Sequence, residues 1–264
     1  MVKKRSGPVS RDDILRVLQA SLEPLDYVNA MWEAGAISWG RLDQYSDIDL
    51  QIDIKDDRVK DAVKVVEKAL RSLSPIQKRY EVVNASHGHW QCFYKLEGCT
   101  DFLLLDLCIM KHGAKDKFLE LEVHGEPVFY FNKRNSIRTK GLDKKAYAKK
   151  LGARLERIKA RLDLFNCFVE KELQRGNHLE SIDIYRSVVL GSLTEVLRMK
   201  YNPLHHDFGT RYLHYELPPA VVKKLKSLAY IKDERDLRKK HKAAHRWFYK
   251  VVSGLDAKRM ASHL

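Results

Sequence analysis

The sequence predicts an α+β fold: a small mixed β-sheet flanked by helices in residues 1–135, followed by an all-α helical bundle in residues 136–264. Three observations carry this expectation. Before residue 132, short apolar runs alternate with period two, the pattern of strands with one face buried. After it, apolar residues recur at spacings of three and four, the pattern of amphipathic helices. The charge also changes there: Lys and Arg number 18 against 21 Asp and Glu in residues 1–132, and 31 against 14 in residues 133–264, within a net charge of +14. A nearly neutral half thus precedes a strongly basic one, and a chain of 264 residues with 44% hydrophobic side chains has material for two cores.

Taken in order, Ser10-Arg11-Asp12-Asp13 reads as a helix start, with Ser10 as N-cap and an acidic first turn. Ile14, Leu15, Val17, Leu18, Leu22 and Leu25 follow at helical spacing, and the helix is expected to continue past Pro24 towards Trp32. A turn bounded by Gly35 and Gly40 comes next, then a strand over 47–54. Val59, Ala62, Val63, Val66, Leu70 and Leu73 form the stripe of a packing helix that Ser74-Pro75 ends. Residues 80–83, 89–96 and 102–110 read as strands, with Glu97-Gly98-Cys99-Thr100 turning the last two into a hairpin, and 127–131 as a short closing strand.

Beyond the polar, basic link at 132–136, Leu151, Leu155, Ile158, Leu162, Phe165 and Val169 repeat at spacings of four and three. They predict one long helix over 143–173, ended by Gly176-Asn177, with Lys149, Lys150, Arg154, Arg157, Lys159 and Arg161 on or near its polar side. A second helix over 179–200 stops at Asn202-Pro203, a loop carries His205-His206-Asp207, and two further helices begin at Pro218-Pro219 and Asp233. Cys92, Cys99, Cys108 and Cys167 form no CxxC pair and read as reduced packing residues. No apolar run is long enough to span a membrane, and Met1-Val2-Lys3-Lys4-Arg5 leads into Ser6-Gly7-Pro8 rather than an apolar segment, so a cytoplasmic location is expected.

The chemistry concentrates in Gly35 to Leu50. In Asp47-Ile48-Asp49-Leu50-Gln51-Ile52 the two aspartates point to one face and the apolar residues to the other. Carboxylates about 7 Å apart along a strand are close enough to share divalent cations. Gly35 and Gly40 bracket a turn suited to presenting backbone N–H groups to an anion. Asp106 is an ionisable group in an otherwise apolar strand, a place where charge is costly and seldom idle. Asp101 competes as third carboxylate but sits at the hairpin turn, where acidic residues are ordinary, and an isolated Asp-x-Asp is itself most often a solvated strand end. His87-Gly88-His89 and His205-His206-Asp207 lack partners at zinc spacing and read as loop residues. The last helix interleaves Arg235, Arg238, Lys239, Lys240, Lys242 and Arg246 with Trp247, Phe248 and Tyr249; it reads either as a phosphate-gripping face or as a solvated face beside an aromatic core edge.

A glycine-led turn closed by Ser46-Asp47-Ile48-Asp49-Leu50, with Asp106 on a later strand, resembles the signature of the DNA polymerase beta superfamily of nucleotidyltransferases. The layout of sheet then bundle resembles its small antibiotic-type members, the aminoglycoside and lincosamide enzymes. The resemblance implies transfer of a nucleoside monophosphate, AMP from ATP or the equivalent from another nucleoside triphosphate, to an acceptor hydroxyl, with release of pyrophosphate. It implies two Mg²⁺ ions, or Mn²⁺ in their place, held by Asp47 and Asp49, with Asp106 at the metal nearest the acceptor and taking its proton. Gly35, Ala36, Ser38, Gly40 and Ser46 would form the phosphate turn; on the bundle, Lys149 is a candidate to neutralise the triphosphate, and Tyr185 and Arg186 read either as nucleotide or acceptor contacts or as an ordinary interhelical contact.

Ala36 departs from the pattern, since the family places serine there. Ser38 replaces that hydroxyl, backbone donors suffice, or activity is lost. The basic second half disfavours a polycationic aminoglycoside and favours a neutral or acidic small-molecule acceptor. The alternatives are an RNA (tRNA) or protein acceptor docked on the basic half, and a catalytically degenerate nucleotide-binding module. No membrane partner is implied.

Overall fold

The protein, here a computed structural model, is described over residues 7–255; the basic start at residues 1–5 lies outside them. The chain divides into two compact units, Met1–Gly141 and Leu142–Leu264.

In the first unit, α1 (Arg11–Leu22) begins with a capping box: Asp13 N–H donates to Ser10 Oγ, and Ser10 N–H donates back to Asp13 Oδ2 at 3.0 Å. The helix does not continue to Trp32. It stops at Leu22, two residues before Pro24, and Val28–Glu33 forms strand β1. The reason is legible in the burial: Val28 and Met31 enter the core on one side of the sheet, Ala30 and Trp32 the core on the other. A strand covered on both faces loses its polar alternation.

β2 (Ile48–Ile54), α2 (Val59–Leu73), β3 (Ile76–Glu81), β4 (Trp90–Leu96), β5 (Leu105–Lys111), the short α3 (Leu121–His124) and β6 (Val128–Asn132) complete this unit. The six strands are ordered β3-β4-β5-β2-β1-β6, with β2 and β5 parallel and all other neighbours antiparallel. One face packs on α1 and α2 through Ile14, Leu18, Leu50, Ile52, Val66, Leu70 and Leu107. The other is covered in part by Leu119 and Ile137, which pack with Ala30, Trp32, Cys108 and Met110. Ile137 explains why the division falls after Gly141 rather than after residue 135: it is buried in the first unit, and Lys140 N–H donates to Leu119 O at 3.0 Å.

The second unit is helical: α4 (Lys144–Phe165), α5 (Cys167–Gln174), α6 (His178–Ile184), α7 (Gly191–Tyr201), α8 (Leu213–Glu216), α9 (Pro219–Ala229) and α10 (Glu234–Val252). Asp143 and Asp233 cap α4 and α10 by accepting from Ala146 N–H and Asp236 N–H. The helix expected over 143–173 is two, separated at Asn166, whose backbone N–H and side chain both donate to Leu162 O at 3.0 Å. The one expected over 179–200 carries a π-helical stretch, Tyr185–Leu190, between α6 and α7.

One expectation for this unit needs correction. Tyr185, read as a nucleotide contact, is fully buried and its hydroxyl donates to Leu228 O at 3.0 Å, so it is an interhelical tie. His205 and His206 lie in the connection between α7 and α8, as read, and are buried there. His205 Nδ1 lies 2.8 Å from Glu216 Oε1, and Glu216 Oε2 accepts from the buried Arg198 Nη1 at 2.6 Å. That network ties the segment after α7 to α8. Lys149 and Arg186 are exposed on helix surfaces. The four cysteines are free thiols. Among the described residues no helix is long and apolar enough to cross a membrane.

Candidate functional site

β2 and β5 run parallel with Asp49 directly opposite Asp106. Neighbouring strands stand about 4.8 Å apart, so the two side chains rise together from the face turned away from α1 and α2. The alternation that sends Ile48, Leu50 and Ile52 into the core, with Leu105, Leu107 and Ile109, forces the aspartates outward.

Asp47 sits at the head of β2, where its carbonyl accepts from Arg11 Nη1 at 2.6 Å. The other end of the Arg11 guanidinium pairs with Glu33, the fully buried last residue of β1, and Glu33 Oε2 accepts from the Tyr130 hydroxyl at 2.6 Å. Burial lowers the pKa of Arg11, while Tyr130, Asp49 and Asp47 pull it the other way. A cation from the first turn of α1 is therefore built into the edge of the carboxylate group.

The turn is tied to the aspartates by contact. Gly35 has φ +69°, and a Cβ there would fall 1.7 Å from Asp49 Oδ2, so the absent side chain is the space the carboxylate occupies. Ala34 N–H donates to Asp49 O at 3.0 Å. Ala36 precedes a short 3₁₀ turn, Ile37–Trp39, which Gly40 closes at φ +63°. Ser38 Oγ is buried without a hydrogen-bond partner among the described residues, and Ser38 O accepts from Glu126 N–H at 3.2 Å. Gly125 presses on the same carbonyl: a Cβ there would lie 2.6 Å from Ser38 O. Ser46 closes its own loop, its hydroxyl donating to Asp43 Oδ1 and accepting from Asp43 N–H, each at 2.9 Å.

Asp106 has its own support. Gln91 Nε2, from β4, donates to Asp106 Oδ1 at 2.8 Å and Oδ2 at 3.0 Å. Burial raises the Asp106 pKa, the Gln91 hydrogen bond lowers it, and the charge of Asp47 raises it again. His87 Nε2 stands 3.2 Å from Gln91 Oε1. His87 thus lies in a loop, as read, but it is joined to the site. Asp101 is almost completely exposed and pairs with Lys95.

Among the described residues no group of three or more His, Cys, Asp or Glu side chains is closed around a metal position. The donor chemistry nevertheless fits a hard divalent cation: three carboxylates, with Asp47 close enough to Asp106 to act on it as a like charge. Arg11, Glu33, Gln91 and His87 escape a sequence reading, because each meets the aspartates through strand order or a loop. The one signal present is that Gln91 alternates out of phase with the core residues Cys92, Tyr94 and Leu96 of its strand.

No protein-family model matches the chain, and no curated protein matches it. Among solved structures the chain is similar to an aminoglycoside 6-adenyltransferase from Bacillus subtilis, at 13% identity over 96% of this chain and 89% of that one, with a TM-score of 0.35. It is similar also to a spectinomycin adenyltransferase from Enterococcus faecialis, solved with ATP and spectinomycin, at 9% identity over 94% and 97% of the two chains, again with a TM-score of 0.35.

Proposed function

We propose that the chain is a nucleotidyltransferase that moves a nucleoside monophosphate, AMP from ATP, to a hydroxyl of a small-molecule acceptor and releases pyrophosphate. The observation that carries this reading is the in-register pairing of Asp49 with Asp106 beneath a turn whose Gly35 is moulded to the Asp49 carboxylate. Asp47, Asp49 and Asp106 would hold Mg²⁺ or Mn²⁺, which when bound supplies charge neutralisation for the triphosphate. In the transfer, the acceptor oxygen forms a bond to the α-phosphorus as the bond from that phosphorus to the pyrophosphate oxygen breaks. Asp106 takes the acceptor proton, a role suited to a carboxylate whose proton affinity is raised by burial.

The turn over 35–40 supplies backbone donors to the phosphates in this reading. Ala36 removes one hydroxyl, and backbone donors carry the phosphates in this reading. One neutral hydrogen bond is worth only about 0.5–1.5 kcal/mol, so the loss weakens binding without touching the carboxylates that do the chemistry. The test is to incubate the protein with labelled ATP, Mg²⁺ and a cell extract, then ask which fraction gains label. Label in a small molecule, abolished by Asp49→Asn, supports the reading; ATP binding with no transfer to any fraction points instead to a degenerate binding module.

A second acceptor class has an observation of its own. Arg235, Lys239, Lys242 and Arg246 are exposed on α10 at spacings of four, three and four, and form no ion pair with the described residues. Such a stripe suits a phosphate backbone. Label in RNA, with binding that weakens steeply as salt rises, would move the acceptor to that class.

A further inference from the structure

We propose that His87 is a positioning residue for the transfer, acting through Gln91 to hold Asp106. The inference rests on the reading of Asp106 as the group that takes the acceptor proton. Its physical content is a chain of hydrogen bonds, from the His89 backbone through His87 and Gln91 to Asp106, in which each donor fixes the next.

The chain starts at a group whose polarity is certain. The backbone N–H of His89 lies 3.1 Å from His87 Nδ1. A backbone N–H only donates, so Nδ1 accepts, and a neutral imidazole with an accepting Nδ1 carries its proton on Nε2. Nε2–H then donates across 3.2 Å to Gln91, whose facing atom must be the carbonyl Oε1. The NH₂ end is thereby turned towards Asp106, where it meets both carboxylate oxygens at 2.8 and 3.0 Å. Rotating the amide by half a turn would set an oxygen against the carboxylate and an NH₂ against the Nε2–H, so both bonds would fail together.

The imidazole is itself held in place. It stacks on His89 with centroids 5.3 Å apart, and the edge of Phe118 meets His87 at 5.7 Å and His89 at 5.5 Å. Gly88 between the two histidines has φ +78°, which lets the chain fold tightly enough for the His89 N–H to reach the His87 ring.

The consequence for Asp106 is specific. A neutral amide orients the carboxylate without cancelling its charge, and each oxygen keeps lone pairs directed outward. A lysine or arginine in the place of Gln91 would compete with a bound cation for those lone pairs. Supporting groups of this kind around a metal-site carboxylate typically govern activity by about 10–100-fold.

The test has a spectroscopic arm and a kinetic one. In ¹⁵N-labelled protein, long-range ¹H–¹⁵N correlations should show His87 as the Nε2–H tautomer, and His87→Phe, which keeps a ring against Phe118, should shift the Gln91 side-chain amide signals; the Nδ1–H tautomer overturns the proposal. Kinetically, pyrophosphate release is followed with ATP, Mg²⁺ and the small-molecule fraction of a cell extract as acceptor. Gln91→Leu and His87→Phe should lower kcat about 10–100-fold, with KM for ATP changed less than about threefold. His87→Gln, whose amide also donates to Gln91 Oε1, should recover most of the rate, a rescue that a packing role would not predict. If Asp106→Asn abolishes release while Gln91→Leu leaves kcat unchanged, the positioning role is wrong and the reading of Asp106 stands. If Asp106→Asn retains full activity, that reading itself has failed.

Discussion

Two carboxylates on neighbouring strands of one sheet face have been treated in opposite ways. Asp53, near the end of β2, is fully buried and answered by the Lys117 ammonium at 2.6 Å, with His112 Nδ1 at 2.7 Å and the Asn29 amide at 2.8 Å completing its hydrogen bonds. Asp106, near the start of β5, is only partly buried and held by a neutral amide on both oxygens. The first arrangement consumes the negative charge to close the sheet under the segment that follows β5. The second keeps the charge available while fixing its direction. On the proposed function, the difference separates a carboxylate that stabilises the fold from one kept for chemistry, and it is open to direct attack.

The largest expected effect is on catalysis: Asp106→Asn or Asp49→Asn should reduce pyrophosphate release by about a thousandfold with the circular dichroism spectrum unchanged. Asp53→Ala should do the reverse. It strands Lys117 in a largely buried site, so the unfolding free energy from urea titration should fall by about 3 kcal/mol, while the specific activity of the folded fraction persists. Should the two variants exchange phenotypes, the contrast is wrong.

Gly35→Ala comes next. The new Cβ competes with Asp49 Oδ2 for one position, and the left-handed φ adds roughly 1–2 kcal/mol of strain. A carboxylate displaced by about 1 Å should cost on the order of 10²-fold in rate, measured in the same assay.

The smallest effect concerns stability and pH. Asp106 has its folded-state pKa raised, first by burial and, against the Gln91 hydrogen bond, further by Asp47. The folded state therefore holds that proton more tightly than the unfolded one, and the site gains stability as pH falls through the raised value and costs stability above it. Asp106→Asn should accordingly melt slightly higher than wild type at neutral pH, with the gap narrowing in acid; a melting point below wild type at neutral pH would contradict the burial argument.

How far the sequence reveals this molecule follows from which interactions are local. β2 and β4 were legible because one face of each is polar enough to show period two, β5 and β6 because each is a short apolar run bounded by turn residues, and the sheet-then-bundle fold class is the one observed. β1 was hidden because both its faces are buried, so Val28 to Trp32 reads as the tail of a helix. The aspartates stood out because charge in an apolar strand is conspicuous. Gln91, His87, Arg11 and Glu33 did not, because their relation to the aspartates depends on β4 lying beside β5 and on the first turn of α1 reaching the head of β2. Tyr185 misled for a different reason: a tyrosine in mid-helix has the same sequence signature whether its hydroxyl faces a ligand or a backbone carbonyl, here that of Leu228.

The press of Gly125 and Glu126 against Ser38 makes the glycine-bounded turn a composite object. Its outer wall is supplied by the linker between α3 and β6, which follows Asp47, Asp49 and Asp106 in the chain. A graft of residues 35–50 into a foreign scaffold would carry the acidic pair but leave behind part of the mould that shapes the turn. A first unit cut short after β5 would have the same defect, with its acidic residues intact and the cradle above them unbacked.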